Sequence, residues 1–416
     1  LYGKNFFQET EAVEKIISNT ATNRYFKFQP DTSASPASAD INGTYAIQIA
    51  PVDYTYIPKA PPYGLAASIA DKSTIEFSII VPMHNTSLLH AQRMLASVQH
   101  QWLPHWELIL VNNGSTDPQT LSFLGGLNDP KVKVVTLTGC GLSEALNAGI
   151  AQTRGNYSLF LGQADELTHD CLYELADCIL HTSADYIYAD EDTLTQTGDY
   201  TEPQFKPDWS PDTCMSLMYT GHTCCVRKTF LETLGGFHPA FDGAQDWDLV
   251  LRMSENTTRI AHVSKVLYHA RQHAPAASAT VQSRADIVAA GLRAREAALQ
   301  RRGLTARLEP VQSAPDYHRV AYAVQGSPLV SVIIPSKNNG KILLQCIQSF
   351  AAKNQWDNTE FVILDNGSDQ PETLSILDDL RARKDVRMIR HAAPFNYSEL
   401  NNIGIRASGG DILLFL

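Results

Sequence analysis

Short apolar runs rich in Val, Ile and Leu alternate along the chain with stretches in which apolar residues recur every three or four positions. The runs predict strands and the stretches predict helices. We expect strands at 79–81, 108–111, 132–137 and 158–161 and helices at 88–98 and 142–152. Such alternation builds a parallel sheet that helices cover on both faces. The expected fold class is therefore α/β, with a mainly parallel sheet and flanking helices.

The same pattern occurs twice in the chain. Residues 78–85 (Ser-Ile-Ile-Val-Pro-Met-His-Asn) recur as 331–338 (Ser-Val-Ile-Ile-Pro-Ser-Lys-Asn). Residues 108–115 (Leu-Ile-Leu-Val-Asn-Asn-Gly-Ser) recur as 361–368 (Phe-Val-Ile-Leu-Asp-Asn-Gly-Ser). This internal repeat predicts one whole domain followed by the first part of a second copy, and we expect the chain to be a fragment of a longer protein.

Four regions follow from these patterns. We expect an N-terminal accessory region and linker at 1–75, the first α/β domain at 76–273, a connecting helix and linker at 274–328, and a truncated second domain at 329–416. In the connecting helix an apolar face predicts packing on the first domain, and four arginines lie largely off that face. The apolar residues are Val288, Leu292 and Leu299, and the arginines, which we expect to face solvent, are Arg293, Arg295, Arg301 and Arg302.

Composition and charge narrow the class of protein. The 416 residues include 44% hydrophobic and 19% charged residues, as in a globular protein of about two domains. The formal charge of −11 gives no support for nucleic-acid binding. The seven cysteines form no C-x-x-C pair or Cys/His ligand cluster, and no apolar run reaches the ~20 residues of a membrane-spanning helix. Because no signal peptide is indicated either, we expect a cytoplasmic protein, and peripheral association with the inner face of the cytoplasmic membrane stays open.

Polar residues follow three of the predicted strands at the point where each strand ends. Pro82 and Asn85 follow the first strand, Asn112 and Asn113 the second, and residues 162–166 (Gly-Gln-Ala-Asp-Glu) the fourth. In a parallel sheet these ends form the edge where ligands bind. Each motif alone is also ordinary turn chemistry. Their repetition in the second copy favours a shared nucleotide site, although common descent of a scaffold would also preserve turns.

An ordered set of motifs in this chain resembles the family-two glycosyltransferases of the GT-A fold, in particular the two-domain type that builds bacterial surface polysaccharides. The resemblance covers 75–273 fully and 329–416 in part. Besides the strand-end motifs, it rests on 146–151 (Leu-Asn-Ala-Gly-Ile-Ala), 188–192 (Tyr-Ala-Asp-Glu-Asp), 205–212 (Phe-Lys-Pro-Asp-Trp-Ser-Pro-Asp), 235–237 (Gly-Gly-Phe), 245–249 (Gln-Asp-Trp-Asp-Leu) and 267–271 (Leu-Tyr-His-Ala-Arg). It implies transfer of a sugar from a nucleotide-diphospho-sugar donor to a growing surface polysaccharide or lipid-linked glycan, with inversion.

The resemblance also implies roles for individual residues. Asn112 would contact the nucleotide base. The metal cluster of Asp-x-Asp type maps onto 162–165, so Asp165, with His269, would hold Mn²⁺ or Mg²⁺ against the leaving diphosphate. A hydrogen-bonded structural histidine is the alternative for His269. Arg271 would meet the phosphates. The remaining residues of the nucleotide-sugar site would be Pro82, Asn85, Asn113, Asp165, Gln245 and Asp248.

Asp246 is the expected general base, because it is the first Asp of the Gln-Asp-x-Asp stretch. A base of this kind removes the proton of the acceptor hydroxyl as that oxygen attacks the anomeric carbon. An alternative is purely structural: Asp246 opens a predicted helix and would cap it. The cap explains one carboxylate but not two carboxylates with a Trp between them.

Two departures from the family pattern leave a second function open. Gly162 and Ala164 stand where the pattern places Asp, and Asn112 replaces an Asp that the second copy keeps as Asp365. In this second function the first domain is a degenerate, non-catalytic nucleotide-sugar or glycan-binding domain that scaffolds an active second domain. An oxidoreductase is disfavoured, since Gly139-Cys-Gly141 lacks the third glycine of a dinucleotide-binding fingerprint.

Overall fold

The computed structural model describes residues 26–29, 48–51, 54, 56, 57, 59, 72, 74–272, 283–311 and 314–416. The chain divides into two compact units, Leu1–Tyr322 (unit 1) and Ala323–Leu416 (unit 2). Most of the predicted accessory region at 1–75 lies outside the described residues, although strand β1 (Phe26–Gln29) pairs antiparallel with β2 (Gln48–Pro51). Residues 273–282 of the predicted connecting region also lie outside them.

Nine strands of the described part of unit 1 form one sheet. Their bounds are β3 (Phe77–Met83), β4 (Trp106–Asn113), β5 (Val132–Leu137), β6 (Tyr157–Phe160), β7 (Glu166–Leu167), β8 (Tyr186–Leu194), β9 (Tyr200–Gln204), β10 (Cys224–Arg227) and β11 (Ile260–Arg271). The order is β5-β4-β3-β6-β10-β8-β11-β7, with β9 paired to β8. Strands β5, β4, β3 and β6 are parallel neighbours, as are β8 and β11, whereas β10 runs antiparallel between β6 and β8. The expected mainly parallel sheet is confirmed.

Helices cover both faces of this sheet. Their bounds are α1 (Leu88–Gln99), α2 (Pro118–Gly125), α3 (Leu142–Ile150), α4 (Cys171–Thr182), α5 (Pro211–Ser216), α6 (Lys228–Thr233), α7 (Gln245–Asn256) and α8 (Arg284–Arg301). Ile79 and Val81 pack in one core cluster with α1 and α4, while Ile80 between them packs in a second cluster with α3 and α7. Burial on both faces explains why β3 is apolar throughout.

Helix α3 rests directly on the centre of the sheet. A Cβ at Gly149 would lie 2.5 Å from Ile80 Cγ2 and 3.1 Å from Val111 Cγ2. Only a residue without a side chain allows this approach, so Gly149 fixes the distance between α3 and strands β3 and β4.

The predicted connecting helix forms as α8 and packs on α7 within unit 1. The expectation that its arginines face solvent is wrong for Arg295, which is 1% exposed. Its guanidinium lies 4.4 Å from the ring centroid of Trp247, and its Nε donates to Gly291 O at 3.0 Å. Gly291 itself packs on the indole, so the glycine and the arginine one turn later enclose Trp247 together.

The hairpin β12 (Ala306–Val311) and β13 (Ala314–Tyr322) follows α8 in the chain.

Unit 2 has four strands and three helices among its residues. They are β14 (Val330–Ser336), α9 (Gly340–Lys353), β15 (Thr359–Asp365), α10 (Pro371–Arg381), β16 (Val386–Arg390), α11 (Tyr397–Ala407) and β17 (Ile412–Phe415). All pairs are parallel, in the order β16-β15-β14-β17. This is the order of β5-β4-β3-β6 in unit 1. Gly404 occupies the place of Gly149, because a Cβ there would lie 2.5 Å from Ile333 Cγ2 and 3.1 Å from Leu364 Cδ2.

No helix in the described ranges is both long and apolar enough to cross a membrane.

Candidate functional site

The loops that follow β3 and β4 are joined by one asparagine. Asn85 adopts a left-handed backbone conformation (φ 47°), and its N–H donates to Ser115 Oγ at 3.1 Å. Its side-chain oxygen accepts from the backbone N–H groups of Thr116 (2.7 Å) and Asp117 (2.9 Å). Asn is among the few residues that tolerate this conformation, and its short amide closes the turn. In unit 2, Asn338 (φ 54°) makes the equivalent bonds to Ser368, Asp369 and Gln370.

The loop after β6 reaches the same edge of the sheet. Gln163 is buried, and its Oε1 accepts from the backbone N–H of His84 at 2.7 Å. The His84 ring contacts the carbonyl of Asn113 through Nδ1 at 2.8 Å. Asn113 is fully buried and pairs with the backbone of Cys140, before α3, in both directions (2.9 and 3.0 Å). The structure therefore brings the ends of β3, β4 and β6 into one crevice, in which Asn113 ties loops together.

Pro82 and Asn112 lie at the end of the neighbouring pair β3 and β4. Pro82 aligns with Val111, and Met83 aligns with Asn112. Asn112 is 5% exposed, and its Oδ1 accepts from Ser115 N–H at 3.1 Å. In unit 2 the carboxylate of Asp365 accepts the equivalent Ser368 N–H at 2.8 Å.

Asp165 is engaged by the protein itself. Its Oδ2 accepts from Tyr268 Oη at 2.6 Å, and its Oδ1 accepts from the backbone N–H of Arg271 at 2.8 Å. Tyr268 Oη in turn accepts from Gly162 N–H at 3.0 Å. A Cβ on Gly162 would overlap the Asp165 carboxylate. The glycine at the first position of the expected Asp-x-Asp cluster thus makes room for Asp165 to fold back onto β11.

Arg271 and His269, on β11, are also held by neighbours. The Arg271 guanidinium donates to Ala164 O at 2.7 Å and to Glu166 at 2.5 Å. His269 is 2% exposed, and its Nδ1 lies 2.5 Å from Asp192 Oδ1.

Two tyrosine rings enclose the imidazole of His269. The ring centroids of Tyr56 and Tyr200 lie 4.6 and 4.2 Å from it. The Asp192 carboxylate that binds His269 also accepts from Tyr54 Oη at 2.8 Å. Tyr54 and Tyr56, from the N-terminal part of the chain, therefore help to enclose the pair of His269 and Asp192.

These side chains do not fit the expected divalent cation. Within the described ranges no group of three or more His, Cys, Asp or Glu is arranged to hold a metal ion. A hard cation takes several oxygen ligands. Both oxygens of Asp165 accept hydrogen bonds, position 162 has no side chain, and His269 is closed in by aromatic rings.

Asp246 lies in the first turn of α7 but does not cap it. The residue at the N-cap is Ala244, and Asp246 is only partly exposed. Its Oδ2 accepts from Gln245 Nε2 at 2.8 Å, and Gln245 Oε1 accepts from Gly243 N–H. Burial raises the pKa of Asp246, against the opposing effect of the His222 charge nearby. A carboxyl whose pKa rises becomes a stronger base.

The loop before α7 is tied to the crevice. Asp242 Oδ1 accepts from Ser143 N–H at 2.9 Å, at the start of α3, where that helix follows β5. The side chain of Asp246 therefore projects from a loop and helix that border the strand ends.

Asp248 belongs to a buried ion pair that supports the fold. It is fully buried and pairs with Arg252 one turn later at 2.8 Å. Arg252 also donates to the carbonyls of Leu234 (2.9 Å) and Gly236 (2.8 Å). The pair fixes the Gly235–Gly236 turn, in which both glycines have positive φ.

Sequence reasoning missed a charged cluster next to Tyr268. Glu191 on β8 is 2% exposed and accepts from Lys206 Nζ (2.8 Å), from His222 N–H (2.8 Å) and from His222 Nδ1 (3.1 Å). Burial alone would favour the neutral carboxyl, but Lys206 and His222 outweigh it and hold the pKa of Glu191 well below its ordinary value. Two motifs of the resemblance, 188–192 and 205–212, contain Glu191 and Lys206, which was the available signal.

The family model described as "Glycosyl transferase family 2" matches residues 78–217 and again residues 331–416. Because these matches span more than half of the chain, the chain belongs to this family. The curled, mostly parallel sheet with helices on both faces is the GT-A arrangement that the resemblance implied.

Two of the relatives are much longer than this chain. "O-antigen biosynthesis protein RfbC" of Myxococcus xanthus is 36% identical over 345 residues, which are 82% of this chain and 27% of that protein. "Chondroitin synthase" of Pasteurella multocida is 26% identical over 204 residues, or 47% of this chain and 20% of that protein. The chain therefore spans less than a third of the length of either relative. Among solved structures, S. aureus TarS 1–349 in complex with UDP-GlcNAc matches with a TM-score of 0.46 and 23% identity, over 54% of this chain and 66% of that chain.

Proposed function

We propose that unit 1 transfers a sugar from a nucleotide-diphospho-sugar donor to a hydroxyl of a growing surface polysaccharide or lipid-linked glycan, with inversion. The observation that carries this proposal is Asp246, a partly exposed carboxylate of raised pKa beside the crevice of strand ends. Membership of glycosyl transferase family 2 and the similarity to a protein named for O-antigen biosynthesis support the reaction class.

The reaction needs one proton acceptor and one leaving group. An Asp246 oxygen takes the proton of the acceptor hydroxyl while that oxygen forms a bond to the anomeric carbon. The bond from the anomeric carbon to the diphosphate breaks, and the nucleoside diphosphate leaves with the electron pair. Because the attack comes from the face opposite the leaving group, the configuration inverts. Gln245 holds the carboxylate in place through its Nε2.

The strand-end loops are the proposed donor site. Asn112, Pro82 and Asn85 border its base side, and the segment after β6 borders its diphosphate side. Unit 2 is proposed as the N-terminal part of a second GT-A domain, with Asp365 at the position of Asn112.

A specific observation favours a second candidate, a nucleotide-sugar or glycan-binding domain without activity. Gly162 and Ala164 lack the carboxylates of the family pattern, and Asp165 is engaged by Tyr268 and Arg271. This candidate keeps donor binding and loses turnover.

The test is sugar transfer by the 416-residue chain with radiolabelled UDP-, dTDP- and GDP-sugars and lipid-linked glycans extracted from bacterial membranes. Asp246→Asn should lower turnover by about 100-fold or more, since a positioned general base contributes that much. The affinity for the donor should stay within about twofold, because the carboxamide keeps the shape of the side chain. Asp208→Asn is the matched control, since that carboxylate is 97% exposed.

Each outcome selects one reading. Transfer that Asp246→Asn leaves unchanged would refute the base assignment. Donor binding without transfer by the wild-type chain would favour the binding domain, and the absence of both would refute a donor site in unit 1.

A further inference from the structure

The residues that the family pattern assigns to a cation are used for other contacts, so the negative charge of a diphosphate needs another partner. Asp165 accepts hydrogen bonds at both oxygens, and Gly162 has no side chain to replace it. The Arg271 guanidinium is buried against Ala164 and Glu166. A cationic group beside these residues that still faces solvent is His222.

The His222 imidazole lies against Tyr268, beside the loop after β6. Its ring stacks on Tyr268 with centroids 5.5 Å apart and an interplanar angle of 15°. The Oη of Tyr268 accepts from Gly162 N–H and donates to Asp165, so the stacked imidazole stands next to the loop after β6. The His222 side chain is 56% exposed, which leaves one edge open to a ligand.

The structure holds this imidazole in a defined orientation. His222 Nδ1 and the His222 backbone N–H both bind the Glu191 carboxylate. The preceding residue, Gly221, has φ +68°, and a Cβ there would collide with Glu191 and Lys206. No hydrogen bond from the described residues reaches His222 Nε2, so this atom is the one available to a phosphate oxygen. A preorganised donor of this kind loses little entropy when it binds an anion.

The charges around His222 favour its cationic form. Glu191 on β8 faces it directly, and Asp165 after β6 and Asp246 on α7 act on it from farther away, while Lys206 opposes them. Glu191 raises the pKa of His222 to about 9. Lys206 also pairs with Glu191, at 2.8 Å, so this carboxylate is shared between the ammonium of Lys206 and the imidazolium of His222.

We propose that unit 1 binds the diphosphate of its donor through the imidazolium of His222, and that this binding needs no divalent cation. The inference rests on the proposed function, because it concerns the same donor site. His222 acts here as a binding residue that neutralises the charge of the leaving diphosphate.

The experiment is calorimetric titration of the 416-residue chain with UDP, dTDP and GDP and with the matching monophosphates, in EDTA and in MnCl₂. At least one diphosphate should bind in EDTA with an affinity within about threefold of its affinity in MnCl₂. His222→Ala should weaken that diphosphate by roughly 10-fold to 100-fold, the range expected for a charge-assisted hydrogen bond. The monophosphate should lose less than about threefold, because it lacks the second phosphate.

Two variants keep the result interpretable. His222→Lys keeps a cation at this position and should restore affinity to within about threefold of the wild-type value. His181→Ala is the control: His181 lies in the last turn of α4 and contacts Asp177. That turn directly precedes β8, so His181 lies near the amino ends of the strands, whereas the proposed donor site lies at their carboxyl ends.

Binding that EDTA abolishes and MnCl₂ restores would overturn this inference and leave the proposed function standing. Equal affinity of His222→Ala and wild type would overturn it as well. If none of the nucleotides binds under either condition, the donor site of the proposed function falls with it.

Discussion

Glu191 is a buried carboxylate that pairs with two cationic side chains, Lys206 and His222. Glu191→Gln therefore tests how much this charged cluster contributes to stability. Gln keeps the volume and one acceptor oxygen but removes the charge. Lys206 Nζ, whose side chain is 3% exposed, would keep the carbonyls of Ala189 and Thr220 at 2.7 Å each and lose its counter-ion. Breaking a buried pair costs about 3–5 kcal/mol, and because the two carbonyls remain, we expect about 3 kcal/mol.

The measurement is the free energy of unfolding from denaturant titration monitored by tryptophan fluorescence. Glu309→Gln is the matched control. Glu309 pairs with Arg307 at the surface, with side chains that are 42% and 83% exposed, and its loss should cost less than about 1 kcal/mol. A loss below about 1 kcal/mol for Glu191→Gln would refute the reasoning that this pair is tightly coupled.

The pH dependence of the same variant follows from the two pKa shifts. The depressed pKa of Glu191 means that its contribution to stability is present above its ordinary value of 4.5 and is lost as the pH falls below it. The raised pKa of His222 means that its contribution is complete below 6.5 and is lost as the pH rises through about 9. Solvent screens the exposed ring, so the penalty of Glu191→Gln should be only about 1 kcal/mol smaller at about pH 10 than at about pH 6. In an NMR titration, the pKa of His222 should fall toward its ordinary value in the variant; an unchanged titration would contradict the assignment.

Two further predictions concern packing and a buried ion pair. Gly149→Ala and Gly404→Ala should each lower the free energy of unfolding of their unit by about 1–3 kcal/mol, because the added methyl meets two strand side chains; a neutral result in denaturant titration would contradict the close packing of that helix. Arg252→Met should cost about 3 kcal/mol, because the buried Asp248 loses its close partner and keeps only the more distant His238 (3.5 Å) and Arg301 (3.9 Å). Arg295→Met should cost less than about 1 kcal/mol, because Arg295 has no carboxylate partner among the described residues; equal losses in denaturant titration would refute this contrast.

The arrangement of strands and helices could be predicted from the sequence because burial on both faces produces uninterrupted apolar runs. The runs around Ile80 and Ile109 therefore marked β3 and β4, and the helical period marked α3 and α8. Arg295 escaped the prediction, since its place over Trp247 depends on the missing side chain of Gly291 and on tertiary packing. Helical periodicity alone assigns a long polar side chain to the solvent side.

The candidate site could be predicted in outline only. Convergence of the strand ends follows from parallel topology, and the Asp248–Arg252 pair follows helical spacing. The cluster of Glu191 and His222 joins residues far apart in sequence through the pairing of β8 with β10 and β11. The position of His222 over Tyr268 adds a ring contact that no linear pattern records.

The contact between Gly162 and Asp165 limits how this site can change over generations. An Asp introduced at position 162 would strike the Asp165 carboxylate before it could serve any ligand. To make room, Asp165 would have to leave Tyr268 and Arg271, and each lost hydrogen bond destabilises the protein before a new ligand is gained. Gly162→Asp alone should therefore give a less stable protein. A return to the acidic motif therefore costs less stability when positions 162 and 165 change together than when position 162 changes alone.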